Sequence, residues 1–166
     1  MKRAIYAGSF DPPTLGHLWL MNEAAGLFDG LIVVVADNGD KKPFIPPQDR
    51  VQLIKQMTAG KTHNIIVDRL KSGLLVDYSI EKEFPYLVRG IRNINDFASE
   101  NNMMQVNTEL GNGYNTFVFL IPPPRYDHVS SSLVRNLFNI DVGLIRIQKY
   151  VPYIVYSYLH KMILEG

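Results

Sequence analysis

The sequence predicts an α/β fold: a Rossmann-like, doubly wound sheet of five parallel strands in one domain spanning residues 1–166. Three observations carry that expectation. Short apolar runs alternate with segments whose apolar residues recur at helical spacing, the pattern of strand–helix–strand crossovers. Every cluster of charged or hydroxyl residues worth noting falls just after such a run, where a parallel sheet gathers its ligands. A chain of 166 residues is also long enough to bury one substantial core.

The elements follow in order. Arg3-Ala4-Ile5-Tyr6-Ala7 reads as the first strand, and Leu18 to Ala25 continue as a helix. Leu31-Ile32-Val33-Val34-Val35-Ala36 is β-branched at most positions and reads as a strand buried on both faces. Pro46-Pro47 introduce a helix over 48–57, with Val51, Ile54 and Met57 at helical spacing. Ile65-Ile66-Val67 is the third strand, followed by a short helix over 76–84. Tyr86-Leu87-Val88 is the fourth, ending at Arg89-Gly90, and a long helix covers Ile94 to about Leu110, capped by Asn93 or Asn95. Gly111-Asn112-Gly113 stops it. Thr116 to Ile121 closes the sheet, and Pro122-Pro123-Pro124 impose an extended loop. The aromatic-rich tail, with Tyr150, Tyr153, Tyr156 and Tyr158, is a helix that packs on the core or meets another subunit.

Composition narrows the function. Seventeen basic and sixteen acidic residues leave a formal charge of +1, so no global field selects nucleic acid or a membrane surface. Cysteine is absent, which removes disulfides and thiolate metal sites and is compatible with the cytosol. The apolar start is interrupted by Asp11 and two prolines, unlike a signal peptide, and no apolar run has the length of a membrane span. His17, His63, His128 and His160 have no metal-ligand spacing. Neither a G-x-S-x-G elbow nor a G-x-x-x-x-G-K-[ST] loop is present, which argues against acyl transfer and P-loop kinase chemistry.

The chemistry-bearing loops all suit phosphate. Gly8-Ser9-Phe10-Asp11-Pro12-Pro13-Thr14-Leu15-Gly16-His17 joins a strand to a helix, placing backbone N–H groups, a hydroxyl and an imidazole around an anion. Gly8 is read as letting that ligand approach the backbone closely. Asp37 to Pro43 carry Lys41-Lys42, and Lys41 is the candidate phosphate ammonium. Leu75 is a candidate wall for an aliphatic arm. Arg89-Gly90-Ile91-Arg92 presents two guanidiniums at a strand end. Asp96 and Glu100, four apart on one helical face, are solvated or paired with those arginines, and Glu100 has a third use as an acceptor from ribose hydroxyls. Ser130-Ser131-Ser132 open a helix at its positive dipole end.

Thr14-Leu15-Gly16-His17 resembles the T/H-x-G-H signature of the nucleotidylyltransferase superfamily. Over nearly its full length the chain is similar to bacterial phosphopantetheine adenylyltransferases. The likeness rests on G-S-F-D-P-x-T-x-G-H, the Lys41-Lys42-Pro43 turn, Gly73-Leu74-Leu75-Val76-Asp77-Tyr78, Arg89-Gly90-Ile91-Arg92 and Ser130 to Arg135, in the family's order. The resemblance implies one nucleotidylyltransferase domain that moves AMP from ATP to 4′-phosphopantetheine, yielding dephospho-coenzyme A and pyrophosphate in coenzyme A synthesis. It implies a cytoplasmic homohexamer with coenzyme A as feedback ligand and magnesium bound mainly through ATP. Ser9, Lys41, Leu75 and Arg89 would contact phosphopantetheine. Ser9, Phe10, His17, Gly90, Ile91, Arg92, Glu100, Tyr126, Asp127, His128, Val129, Ser130, Ser131 and Ser132 would contact ATP. His17 would stabilise the transition state, assisted by Lys41 and Arg92. The chain differs from the family pattern at Asp37 to Asp40, at Ala98-Ser99 and over Pro122 to His128. Two alternatives stand beside this reading: a nucleotidylyltransferase with nicotinamide mononucleotide or an alcohol phosphate as acceptor, and a nucleotide-sensing module without turnover.

Overall fold

The computed structural model of the chain describes residues 1–37, 42–60, 62–140 and 143–165. Its centre is a five-stranded, all-parallel sheet made of β1 (Arg3–Gly8), β2 (Gly30–Ala36), β3 (Ile65–Leu70), β4 (Tyr86–Gly90) and β5 (Thr116–Leu120). The spatial order is β3-β2-β1-β4-β5. The chain winds outward from β1 through β2 to β3, then crosses back to place β4 on the other side of β1. That reversal opens a crevice beyond the carboxyl ends of β1 and β4, where such sheets bind ligands.

Burial explains the strands. Ala4 to Ala7 and Leu31 to Val35 are buried throughout, since central strands are covered on both faces and need no polar alternation. Register pairs Tyr6 with Val33 on one side and with Val88 on the other. β3 runs three residues further than its apolar run indicates. As an edge strand it accommodates Asp68, which accepts a 2.6 Å hydrogen bond from the Tyr78 hydroxyl, and Arg69, which pairs with Asp37.

Helices cover both faces. On one, α1 (Leu15–Leu27), α2 (Pro47–Thr58), α5 (Ser131–Phe138), α6 (Gly143–Ile147) and α7 (Tyr153–Glu165) share a core with Tyr6, Phe10, Val33 and Val35. On the other, Tyr78 and Leu75 of α3 (Leu75–Lys82) pack with Ile5, Ala7, Ile32, Val34 and Leu87. Each large apolar side chain fully buried in this way contributes roughly 1.5–3 kcal/mol. The tail helix packs on the core through Val155 and Leu159, and Tyr158 donates to Asp49 at 2.7 Å, while Tyr153 stays exposed.

The remaining long helix, α4 (Ile94–Leu110), begins where Asn93 Oδ1 accepts from the Asp96 N–H at 3.0 Å. It ends as expected at Gly111 to Gly113, with Asn112 and Gly113 at positive φ. The proline loop is a correction: Pro124 opens a 3₁₀ turn over Pro124–Tyr126, because a proline's fixed φ also suits a first helical position. No helix among the described residues is long and apolar enough to cross a membrane.

Candidate functional site

A cavity of about 300 Å³ opens in the crevice beyond β1 and β4. Its walls come from the β1–α1 loop, the end of β4, the side of α4 and the start of α5. Of the residues singled out above it gathers Ser9, Phe10, His17, Arg89, Gly90, Arg92, Glu100, Tyr126, Val129, Ser130, Ser131 and Ser132. Leu75, Ile91, Asp127 and His128 do not line it. Leu75 packs beside the opposite core, and the buried Ile91 donates its N–H to Leu120 O at 3.0 Å. Asp127 closes the 3₁₀ turn, and the His128 ring stands edge-on to Tyr150 with centroids 5.6 Å apart. Lys41 lies outside the described residues. Tyr6, Leu20 and Pro122 line the cavity and had no distinguishing sequence signal.

The β1–α1 loop is held by the backbone of residues 44–45 and by side chains from α2 and α5. Both Asp11 carboxylate oxygens accept, at 2.8 Å each, from the Phe44 and Ile45 N–H groups. Arg50 Nη1 of α2 donates to Ser9 O, Arg135 Nη1 of α5 donates to Asp11 O at 2.6 Å, and the Ser131 hydroxyl donates to Pro12 O at 2.8 Å. With carbonyls and carboxylate so anchored, the loop is preorganised before any ligand arrives. Phe10 takes a left-handed backbone, φ 49°, a conformation costing an L-residue about 1–3 kcal/mol. Its ring is 1% exposed, edge-on to Tyr6 and His17 at 5.3 and 5.1 Å. Any contact from Phe10 to a ligand is therefore through its backbone. The ring also revises the reading of Gly8: a Cβ there would lie 3.1 Å from Phe10 Cζ, so this glycine makes room for the ring.

His17 is the third residue of α1 and completes a capping box with the buried Thr14. The His17 N–H donates to Thr14 Oγ1 at 3.3 Å, and the Thr14 N–H donates to His17 Nδ1 at 3.1 Å. A backbone N–H can only donate, so Nδ1 accepts and the neutral ring carries its proton on Nε2. Burial, with the Arg92 charge adding to it, lowers the imidazole pKa to about 4. At neutral pH the cavity thus holds an uncharged N–H donor in one fixed tautomer.

The cations are paired. Arg89 Nε and Nη2 donate to the two Glu100 oxygens, each at 2.6 Å, and Nη1 donates to Ala7 O at 2.9 Å. Burial alone would lower the Arg89 pKa, but the Glu100 contact outweighs it and the net shift is upward. Three of its five N–H groups are spent, leaving two. Arg92 Nε donates to Asp96 Oδ2 at 2.8 Å and Nη1 to Val129 O at 3.4 Å. Both carboxylates on that face of α4 are thereby paired with the two arginines.

The three serines divide their hydroxyls. Ser130 caps α5, accepting from Leu133 N–H at 3.1 Å; Ser131 ties down Pro12; Ser132 accepts from Arg135 Nη2 at 3.1 Å. What this helix start offers a ligand is chiefly its first-turn N–H groups at the positive end of the dipole. Among the described residues no three His, Asp or Glu side chains gather around a common point.

Residues 5–137 match the model of the cytidylyltransferase-like family. Similar curated proteins include the phosphopantetheine adenylyltransferase of Chromobacterium violaceum, 41% identical over 165 residues and 99% of both chains. That of Neisseria meningitidis is 39% identical over 156 residues, covering 94% of this chain and 91% of its own. Among solved structures, a Plasmodium falciparum nicotinic acid mononucleotide adenylyltransferase complexed with NaAD superposes with a TM-score of 0.68. It is 17% identical and covers 96% of this chain and 94% of its own. Thermotoga maritima TmcAL bound with alpha-thio ATP gives a TM-score of 0.72 at 13% identity, over all of this chain and 57% of its own. These structural likenesses concern the fold.

Proposed function

We propose the reaction from a fact of kinship: this chain belongs to the phosphopantetheine adenylyltransferase family. It moves AMP from ATP to 4′-phosphopantetheine, giving dephospho-coenzyme A and pyrophosphate. A phosphate oxygen of the acceptor attacks the α-phosphorus and forms the new P–O bond. The bond from that phosphorus to the α–β bridging oxygen breaks, and its electron pair leaves with pyrophosphate. The acceptor is already an anion, so no general base and no covalent intermediate are needed. Catalysis is positioning and charge stabilisation.

The observation that carries this reading is the fixed neutral tautomer of His17 in a cavity that also holds Arg89, Arg92 and the start of α5. Its Nε2–H donates to the α-phosphate oxygens as they gain charge. Ser9, Lys41 and Arg89 hold the acceptor phosphate, and Leu75 lines the way for the pantetheine arm. Arg92 and the N–H groups of Ser131 and Ser132 hold the nucleotide phosphates. Phe10, Gly90 and Ile91 contribute through the backbone, with Glu100 and the 126–129 stretch toward the nucleoside. Magnesium enters this reading as an ion carried by the triphosphate, whose oxygens would supply most of its ligands.

The same reading places the enzyme in the cytoplasm, as a cysteine-free chain needs no oxidising compartment. It makes the protein a homohexamer inhibited by coenzyme A. The exposed Ile94, Phe97, Met103 and Val106 of α4, with Ile121 past β5, support association of copies. The test is pyrophosphate release from ATP and magnesium with 4′-phosphopantetheine, run beside nicotinamide mononucleotide, and beside CTP with glycerol phosphate. Release with phosphopantetheine alone is expected. Release only with another acceptor would displace the substrate assignment, and ATP binding without release would leave a nucleotide sensor.

A further inference from the structure

One polar side chain lines the cavity beyond β1 and β4 without a task in the reaction above, and it is Tyr6. We propose that Tyr6 is a further catalytic residue, whose O–H donates a hydrogen bond to a non-bridging oxygen of the α-phosphate during transfer, beside the Nε2–H of His17. The inference rests on the adenylyl-transfer reading above and deepens it.

An unmet hydrogen bond is the first argument. Tyr6 is 6% exposed, and its hydroxyl has no hydrogen-bond partner among the described residues. A buried tyrosine normally bonds through that hydroxyl, because leaving it unmet is costly. The oxygen is not sealed in the core either, and the cavity is the space it opens on. A phenylalanine would fill the same core volume, so packing alone does not call for the oxygen. The second argument is position. Register sets Tyr6 beside Val33 and Val88 on the sheet face covered by α1 and α5, two residues before Gly8, where the phosphate-suited loop begins. Phe10 pins its ring edge-on at 5.3 Å and meets His17 the same way at 5.1 Å, so one aromatic row fixes both donors. The third is charge. Burial raises the Tyr6 pKa far above its ordinary value of 10, and the nearby Arg89 and Arg92 charges offset this only in part. The phenol therefore keeps its proton: it donates, it is no base, and no proton moves in the step. Arg89 is assigned above to the acceptor phosphate and Arg92 to the nucleotide phosphates. A donor in the field of both stands where the two phosphates meet.

Tyr6→Phe removes one oxygen and keeps the ring. With no hydrogen bond among the described residues lost, its melting point should stay within about 4 °C of the parent's. A larger drop would mean that the hydroxyl has a partner inside the protein, and overturns the proposal. Single-turnover rates with ATP, magnesium and 4′-phosphopantetheine should fall by about tenfold to a hundredfold. Calorimetric affinities for ATP and for 4′-phosphopantetheine should stay within about threefold. ATP with sulfur in place of one non-bridging α-oxygen, each diastereomer in turn, then reads the contact in a way that a merely structural role would not move. For one diastereomer the penalty of sulfur against oxygen should be at least about threefold smaller in Tyr6→Phe than in the parent, and for the other it should be unchanged. Equal sulfur penalties in parent and variant, or a normal rate in the variant, overturn the proposal, while pyrophosphate release by the parent leaves the transfer reaction standing. Equal losses of rate and ATP affinity make Tyr6 a ground-state contact and also overturn it. A parent that releases no pyrophosphate with 4′-phosphopantetheine removes the reaction underneath and the proposal with it.

Discussion

Replacing His17 separates chemistry from folding, because the ring does two jobs that different substitutes restore differently. His17→Ala removes the Nε2–H donor, which at one transition-state oxygen is worth about 3–4 kcal/mol, roughly a hundredfold to a thousandfold in turnover. It also removes the acceptor for the Thr14 N–H, costing about 1 kcal/mol of capping, and the edge contact to Phe10, about 0.5–1.5 kcal/mol. At about 2–4 °C per kcal/mol for a chain of this size, melting should drop by several degrees. Glutamine is a natural third residue of a capping box, so His17→Gln should recover much of the melting point while leaving turnover low. The ATP binding constant should stay within about threefold in both variants if the donor acts mainly in the transition state. Single-turnover rates, calorimetry with ATP and thermal melts measure the three quantities. Equal losses in turnover and ATP affinity, or near-normal turnover in His17→Gln, would refute the assigned role.

The same residue sets a pH dependence. Its pKa lies near 4 in the folded chain, below the ordinary value of 6.5, so between these values the unfolded chain binds more protons. Stability should therefore rise with pH through that window, by at most about 3 kcal/mol and less where the cavity admits water, and the slope should shrink in His17→Gln. Arg89→Ala should raise the apparent constant for phosphopantetheine more than that for ATP in steady-state kinetics, and the reverse ranking would reassign Arg89. At Gly143, an added Cβ would fall 1.6 Å from Leu137 O, so Gly143→Ala should cost more than about 2 kcal/mol, read in chemical denaturation with little change in KM. Asp11→Asn keeps the shape but not the charge that receives the Phe44 and Ile45 N–H groups. It should lower turnover by about tenfold with a modest stability loss, seen by comparing kcat with the melting point.

The fold was legible wherever local pattern and burial agree. β2 could be read directly because a central parallel strand, covered on both faces, is β-branched at nearly every position. The last residues of β3 could not, because Asp68 and Arg69 are tolerated there only through Tyr78 and Asp37, distant in sequence. Among the loops, the phosphate-suited composition around His17 and the serine helix pointed to the crevice. The partners of individual side chains did not follow from it. That Glu100 grips Arg89 depends on how α4 leaves β4, and the position of the Phe10 ring depends on a left-handed backbone that no propensity assigns to phenylalanine.

Arg50 shows why the least legible residue can be the most informative. In sequence it is one charge near the start of a helix whose apolar Val51, Ile54 and Met57 already account for its pattern, and nothing singles it out. In the structure it is buried, donates to the loop that carries Ser9, and loses basicity mainly through desolvation, which the Asp11 and Asp37 charges oppose. A guanidinium held this deep with one donor unmet is unfavourable unless something offsets it. The hydrogen bond to Ser9 O offsets part of that cost. Burial of Arg50 and stiffness of the β1–α1 loop are thereby coupled through one side chain. By holding the platform on which Ser9 and His17 stand, Arg50 supplies part of the preorganisation that the transfer step requires.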